Sequence, residues 1–82
     1  EAIEAIAHGD LNSSDVVGKK IDEIKLPPGT AIGAIVRDSD VIMVHHDTVI
    51  KPEDHVILVV TNKRYVKQVE KLFQVNTKIF GI

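Results

Sequence analysis

The feature that most constrains this chain is Pro27-Pro28-Gly29 together with the three apolar runs C-terminal to it. These runs, residues 31–37, 41–45 and 55–61, are separated by the polar clusters Asp38-Ser39-Asp40 and, within the connector 47–54, Pro52-Glu53-Asp54. Proline has no N–H for a helix ladder and pushes the residue before it out of the helical region, so any preceding helix stops here. Short runs of Ile, Val and Ala bounded by turn residues read as strands. Residues 31–37 and 41–45 then form a hairpin with a loop of about three residues, and 55–61, the most strand-like of all, is expected at the centre of the sheet. Gly33 inside the first run weakens a strand, which points to another backbone or a ligand coming close there. Consecutive strands on short loops argue for an antiparallel sheet with helices on one face, an α+β fold.

The flanking segments supply the helices. Residues 1–10, E-A-I-E-A-I-A-H-G-D, suit a short helix by propensity and a strand by alternation, and the residues leave that choice open. Asn12-Ser13-Ser14-Asp15 offers short polar caps to a following helix. Val17, Ile21 and Ile24 recur at spacings of four and three, predicting a helix of about two turns that must lean on the sheet. Near the end, Asn62 is a second cap. Tyr65, Val66, Val69, Leu72 and Phe73 follow helical spacing over about three turns. Residues 75–82 have no clear period and are expected to fray or to lie across a partner.

With 82 residues there is room for one domain, burying only about 60% of its unfolded surface. The chain has no cysteine, so no disulfide or thiolate zinc site supports the small core. The longest apolar stretch, residues 56–60, is far short of the roughly 20 needed to span a bilayer. A net charge of −2 and few aromatics speak against nucleic acid as a partner. Beginning at Glu1, with Met43 its only methionine, the chain reads as a domain cut from a larger cytoplasmic protein.

Catalytic groups are scarce. Ser13 and Ser14 are better placed as caps than as nucleophiles, and no G-x-S-x-G elbow or phosphate-cradling glycine loop is present. His45-His46-Asp47 has metal-ligand chemistry, with Asp40 and His55 as further donors. Adjacent strand residues point to opposite faces, however, so the plainer account is a strand end running into a polar loop. Arg37, closing an apolar strand at the mouth of a hairpin, can fork onto a phosphate or carboxylate; otherwise it is a solvated strand end. The stiff K-L-P-P-G-T of residues 25–30 fixes how the next strand enters an interface.

Three ordered blocks carry a family resemblance. They are V-V-G-K-K-I-D-E-I-K-L-P-P-G-T-A-I-G-A-I-V-R (16–37), D-T-V-I-K-P-E-D-H-V-I-L-V-V (47–60) and V-E-K-L-F-Q (69–74). Together they resemble the TrkA C-terminal, or RCK C-terminal, domain, most of all the last such domain of potassium-uptake regulators. The resemblance implies a two-layer fold of order β-α-β-β-β-α, with a mostly antiparallel four-stranded sheet and two helices. The opening segment is then a strand, residues 1–74 are the domain and 75–82 a tail. Such domains follow Rossmann-type domains that hold NAD or ATP, so no cofactor is expected in this one. They form cytoplasmic assemblies that gate a membrane potassium channel or transporter. Related domains pair as dimers, some with a small anionic ligand such as a cyclic dinucleotide in the cleft. Alternative roles are a stand-alone sensor of such an anion and the regulatory domain of a cation:proton antiporter. For the ligand or dimer cleft the resemblance marks Ile24, Pro27, Ile32, Gly33, Ile35 and Arg37. One departure stands out: the family often has glycine where this chain has Glu53, which implies a different turn or strain of roughly 1 kcal/mol.

Overall fold

The computed structural model describes residues 1–75. The expected tail, 75–82, lies outside them apart from Val75.

Strands β1 (Ala2–Ile6), β2 (Thr30–Arg37), β3 (Asp40–Met43) and β4 (His55–Val60) form one sheet in the order β1-β4-β2-β3. Every neighbouring pair is antiparallel. As the run 55–61 predicts, β4 is internal. The open choice at the N-terminus resolves as a strand, because β1 covers the free side of β4 from Ala2↔Val59 to Ile6↔His55. The β2–β3 loop is tighter than expected. Asp38 and Ser39 alone make the turn, both at positive φ (50° and 73°), with Arg37 and Asp40 paired across it. That backbone matches the right-handed twist of the two strands.

Helix content is lower than the spacing of Val17, Ile21 and Ile24 predicts. Only a single 3-10 turn, Ile21–Glu23, forms there. Gly18 takes φ +83°, and around it much of the backbone bonds across to residues 46–50, leaving only isolated local bonds such as Lys19 N–H to Val16 O and Glu23 N–H to Lys20 O. Gly18 N–H donates to Ile50 O, Ile50 N–H to Lys19 O, Ile21 N–H to Thr48 O and Asp22 N–H to His46 O. The apolar spacing is still used, since Val17 and Ile24 are buried. Ser14 Oγ accepts from the amides of Val16 and Val17, closing a local turn in place of the expected helix cap. Asn62 likewise accepts from Arg64 N–H to start a 3-10 turn, Lys63–Tyr65, that runs into helix α1 (Val66–Leu72).

One face of the sheet carries the core. Ala5, Ile32, Ile35, Val56, Leu58 and Val60 meet Val16, Val17, Ile24, Ile50, Val69 and Phe73 there. Ile32 and Ile35 are an odd number of residues apart and would face opposite ways in a regular strand. The register shift between Ile32 and Ala34 leaves Gly33 as an extra residue, and this bulge turns both isoleucines inward. The opposite face, including Ala31, Val41, Met43 and Val59, is open to solvent.

Candidate functional site

The residues marked for a ligand or dimer cleft do not converge on one surface. Ile24, Ile32 and Ile35 belong to the core, Ile35 without any exposure. Pro27 is also buried, lining a small hollow of about 270 Å³ with Lys25 and Lys71. Gly33 is exposed, and a methyl group built on it would come no nearer than 3.8 Å to Ile57 O. The backbone of Ile57 is thus the neighbour at Gly33, at ordinary contact distance, and it leaves room for a side chain.

Arg37 does fork onto an acid, but the acid is the chain's own Asp54. Nε donates to Oδ1 at 2.8 Å and Nη2 to Oδ2 at 2.7 Å, while Nη2 also donates to Val49 O at 3.1 Å. Asp54 Oδ2 additionally accepts from Lys51 N–H at 2.8 Å. Burial alone raises the pKa of Asp54. The Arg37 fork, the Lys51 amide and the nearby positive charges outweigh it and hold the carboxyl below its ordinary value. The same pairing raises Arg37 above its own ordinary value. Arg37 is thus a structural cation that positions the 49–54 connector.

That connector walls a groove of about 530 Å³, closed on its other side by the 10–12 loop and by Val17-Gly18. Leu11, Val49, Ile50 and Pro52 make it largely apolar, and Lys51 supplies its cation. Leu11 and Val49 are exposed there, Leu11 at 73%. Asp10 shapes the loop: its Oδ1 accepts from Asn12 N–H, Ser13 N–H and Ser13 Oγ, and these bonds lower its pKa. Residue types alone do not single out Leu11, Val49, Lys51 or Asp54. The one available signal is the acid pair Glu53-Asp54 at the turn that precedes the most apolar strand.

The histidines are dispersed. His45 and His46 lie in the turn after β3, where His45 N–H donates to Thr48 Oγ1. His55 Nδ1 is 3.0 Å from Glu4 Oε2, and His8 Nδ1 is 2.9 Å from Glu53 Oε2. Among the described residues, no group of three or more His, Asp or Glu side chains is placed to hold a metal ion.

Comparison with known proteins places this geometry in a family. Over 74 residues, 90% of the chain, it is 60% identical to the Trk system potassium uptake protein TrkA of Vibrio alginolyticus, covering 16% of that protein. Over 80 residues it is 56% identical to the protein of the same name in Halomonas elongata, 98% of the chain against 18% of the relative. The chain thus spans about a sixth of the length of these curated relatives. Among solved structures, the RCK_C domain dimer of S. agalactiae BusR in complex with c-di-AMP is 25% identical with a TM-score of 0.70, over 88% of this chain and 93% of that one. Residues 11–74 match the TrkA-C domain family itself, and the chain belongs to that family.

Proposed function

We propose that this domain is the regulatory and assembly module of a cytoplasmic regulator of potassium uptake. It works by pairing with a second copy and so controls a membrane potassium channel or transporter through the longer protein, with no catalysis of its own. NAD or ATP belongs, on this reading, to a Rossmann-type domain elsewhere in that protein. The observation that carries the proposal is the 60% identity to a potassium uptake protein over nearly the whole chain. The pairing region is the β2–β3 hairpin with the 17–24 segment before it. The 17–24 segment is tied by backbone bonds to residues 46–50, and the hairpin is tied to the same connector through Arg37, which bonds Val49 O and Asp54, so a change at the groove reaches the hairpin through packed structure. Replacing the matching 74 residues of the Vibrio protein by this chain tests it. Potassium uptake and oligomer size are expected to survive the exchange and to be lost on deletion. Unchanged uptake and assembly after deletion overturn the proposal.

A second reading, sensing of a small anionic ligand, is supported by the c-di-AMP complex of the BusR neighbour and by the groove, where apolar walls and Lys51 suit a flat body whose negative charge is seated at Lys51, away from the Asp10 carboxylate of the opposite wall. Calorimetry with c-di-AMP should show binding that Lys51→Ala weakens while the fold persists. Absence of binding to the unaltered chain removes this reading and leaves the first intact.

A further inference from the structure

The two edges of the sheet are defended differently. At the β1 edge the outward backbone belongs to Ala2, Glu4 and Ile6, and Glu4 places a carboxylate there beside His55. Charge on an edge strand discourages foreign pairing. On β3 the one charge, Asp40, sits at the turn end opposite Arg37, and Val41–Met43 carry none. The two-residue turn makes Arg37–Asp40 and Ile35–Ile42 the hydrogen-bonded pairs, so the amides and carbonyls of Val41 and Met43 point away from β2. Among the described residues, no hydrogen bond reaches any of those four groups. The side chains of the same two residues are each 68% exposed and lie on the uncovered sheet face. Unmet backbone groups beside exposed apolar side chains make a template for another strand.

We propose that β3 pairs antiparallel with β3 of a second copy, across a two-fold axis at Ile42, to give one continuous eight-stranded sheet. This rests on the dimer reading above and names its seam. In this register the amide and carbonyl of Val41 meet those of Met43 in the second copy, and symmetry repeats the pair, so all four outward groups of each copy are satisfied. Val41 then packs beside Met43 of the other copy, and the two uncovered apolar faces join. A second copy is the occupant because an antiparallel strand is its own complement about a two-fold axis. Pairing β3 with β1 of another copy is head-to-tail, and it leaves unpaired edges unless several copies close into a ring. Four-residue strands bury an area on the order of a few hundred Å², below the roughly 1,200–2,000 Å² of stable interfaces. Pairing of the free 82-residue chain is therefore weak, and it strengthens where longer chains hold two copies together.

Because the chain has no cysteine, introduced thiols report the register. The Val41→Cys chain mixed with the Met43→Cys chain under a disulfide-exchanging buffer should cross-link to each other well above either with itself, since opposed Cα atoms about 5.5 Å apart are within disulfide reach. Equal yields in all three combinations, or none, overturn the register. In sedimentation, Val41→Lys with Met43→Lys sets like charges opposite each other twice and should weaken self-association about ten-fold, while Val41→Lys with Met43→Glu should restore it. If the double-lysine chain associates as the unaltered one does, the dimer reading stands and this seam is wrong. If the unaltered chain does not associate at high concentration and the two cysteine chains do not cross-link, both fail.

Discussion

The guanidinium of Arg37 lies side-on against the carboxylate of Asp54, one nitrogen to each oxygen at 2.8 and 2.7 Å. Arg37 ends β2 and Asp54 stands just before β4, so the pair locks the hairpin end of the sheet to the connector that walls the groove. The Asp54 side chain is 1% exposed and that of Arg37 23%.

Breaking a pair buried this far leaves an uncompensated charge and costs about 3–5 kcal/mol, a large share of a small domain's stability. Arg37→Ala and Asp54→Ala should each lower the urea midpoint steeply, and the double variant should lose much less than the sum. Arg37→Lys should fall between, because an ammonium keeps the charge but not the fork. A loss of under about 1 kcal/mol in both single variants contradicts a structural role for the pair.

The depressed pKa of Asp54 sets a direction for acid sensitivity. The folded state holds this proton less tightly than the unfolded chain, whose carboxyl titrates near about 3.9. The pair's stabilisation is therefore present above that pH and is lost as pH falls through the lower folded value. Urea midpoints should drop below about pH 4, and Asp54→Asn, already weakened at neutral pH, should show a shallower acid limb. An equally steep limb in that variant assigns the acid sensitivity to other carboxylates.

Three residues with side chains sit where glycine is at ease: Asp38 at φ +50°, which an aspartate tolerates well, Ser39 at φ +73° and Glu53 at φ +68°. Ser39→Gly, in an exposed turn, should stabilise by about 0.5–1 kcal/mol in thermal melts. Glu53→Gly relieves the same strain but removes the carboxylate 2.9 Å from His8 Nδ1. Such an exposed pair is worth about 0–1 kcal/mol, so the net gain should be smaller than at Ser39. A larger gain at Glu53 reverses that ranking.

Strand positions are legible in the sequence because apolar runs and turn residues are local signals, and the expectation of strain at Glu53 agrees with its positive φ. The segment 17–24 has helical spacing without a helix because spacing records which side chains are buried, not where the amides go. Those amides are claimed by Thr48, Ile50 and His46, a choice made by distant residues. Arg37 is legible as a forked donor, whereas its acceptor lies 17 positions away and nothing in the residue order pairs them. Of the three isoleucines marked for a cleft, Ile32 and Ile35 are both core because a bulge at Gly33, invisible to simple alternation, turns them inward together.

Thr30 begins β2 with a buried hydroxyl that meets no hydrogen-bond partner among the described residues. An unmet buried polar group costs about 1–3 kcal/mol, and valine has nearly the same shape without it. Thr30→Val should therefore raise stability by roughly 1 kcal/mol, while Thr30→Ser, which keeps the hydroxyl and loses a methyl, should lower it. A lower midpoint for Thr30→Val indicates that the hydroxyl is satisfied in solution.

Two glycines flanking the start of β2 should respond oppositely to the same added methyl group. Gly29 has φ +71°, and a Cβ there runs into Thr61 Oγ1. The Thr61 hydroxyl and amide both donate to Gly29 O at 3.0 Å, so moving Thr61 aside disturbs the contact that holds the entry of β2 against the end of β4. The left-handed backbone alone costs an alanine roughly 1–2 kcal/mol, and the displaced threonine adds to it. Gly33 occupies the bulge with nothing nearer than 3.8 Å to a built Cβ, and alanine there reduces the freedom of the unfolded chain. Gly29→Ala should thus lower stability in urea melts by about 1–3 kcal/mol, while Gly33→Ala should leave it within about 0.5 kcal/mol or raise it. If Gly33→Ala proves the more damaging of the two, the bulge demands glycine for a reason of backbone geometry rather than tolerating it as open space.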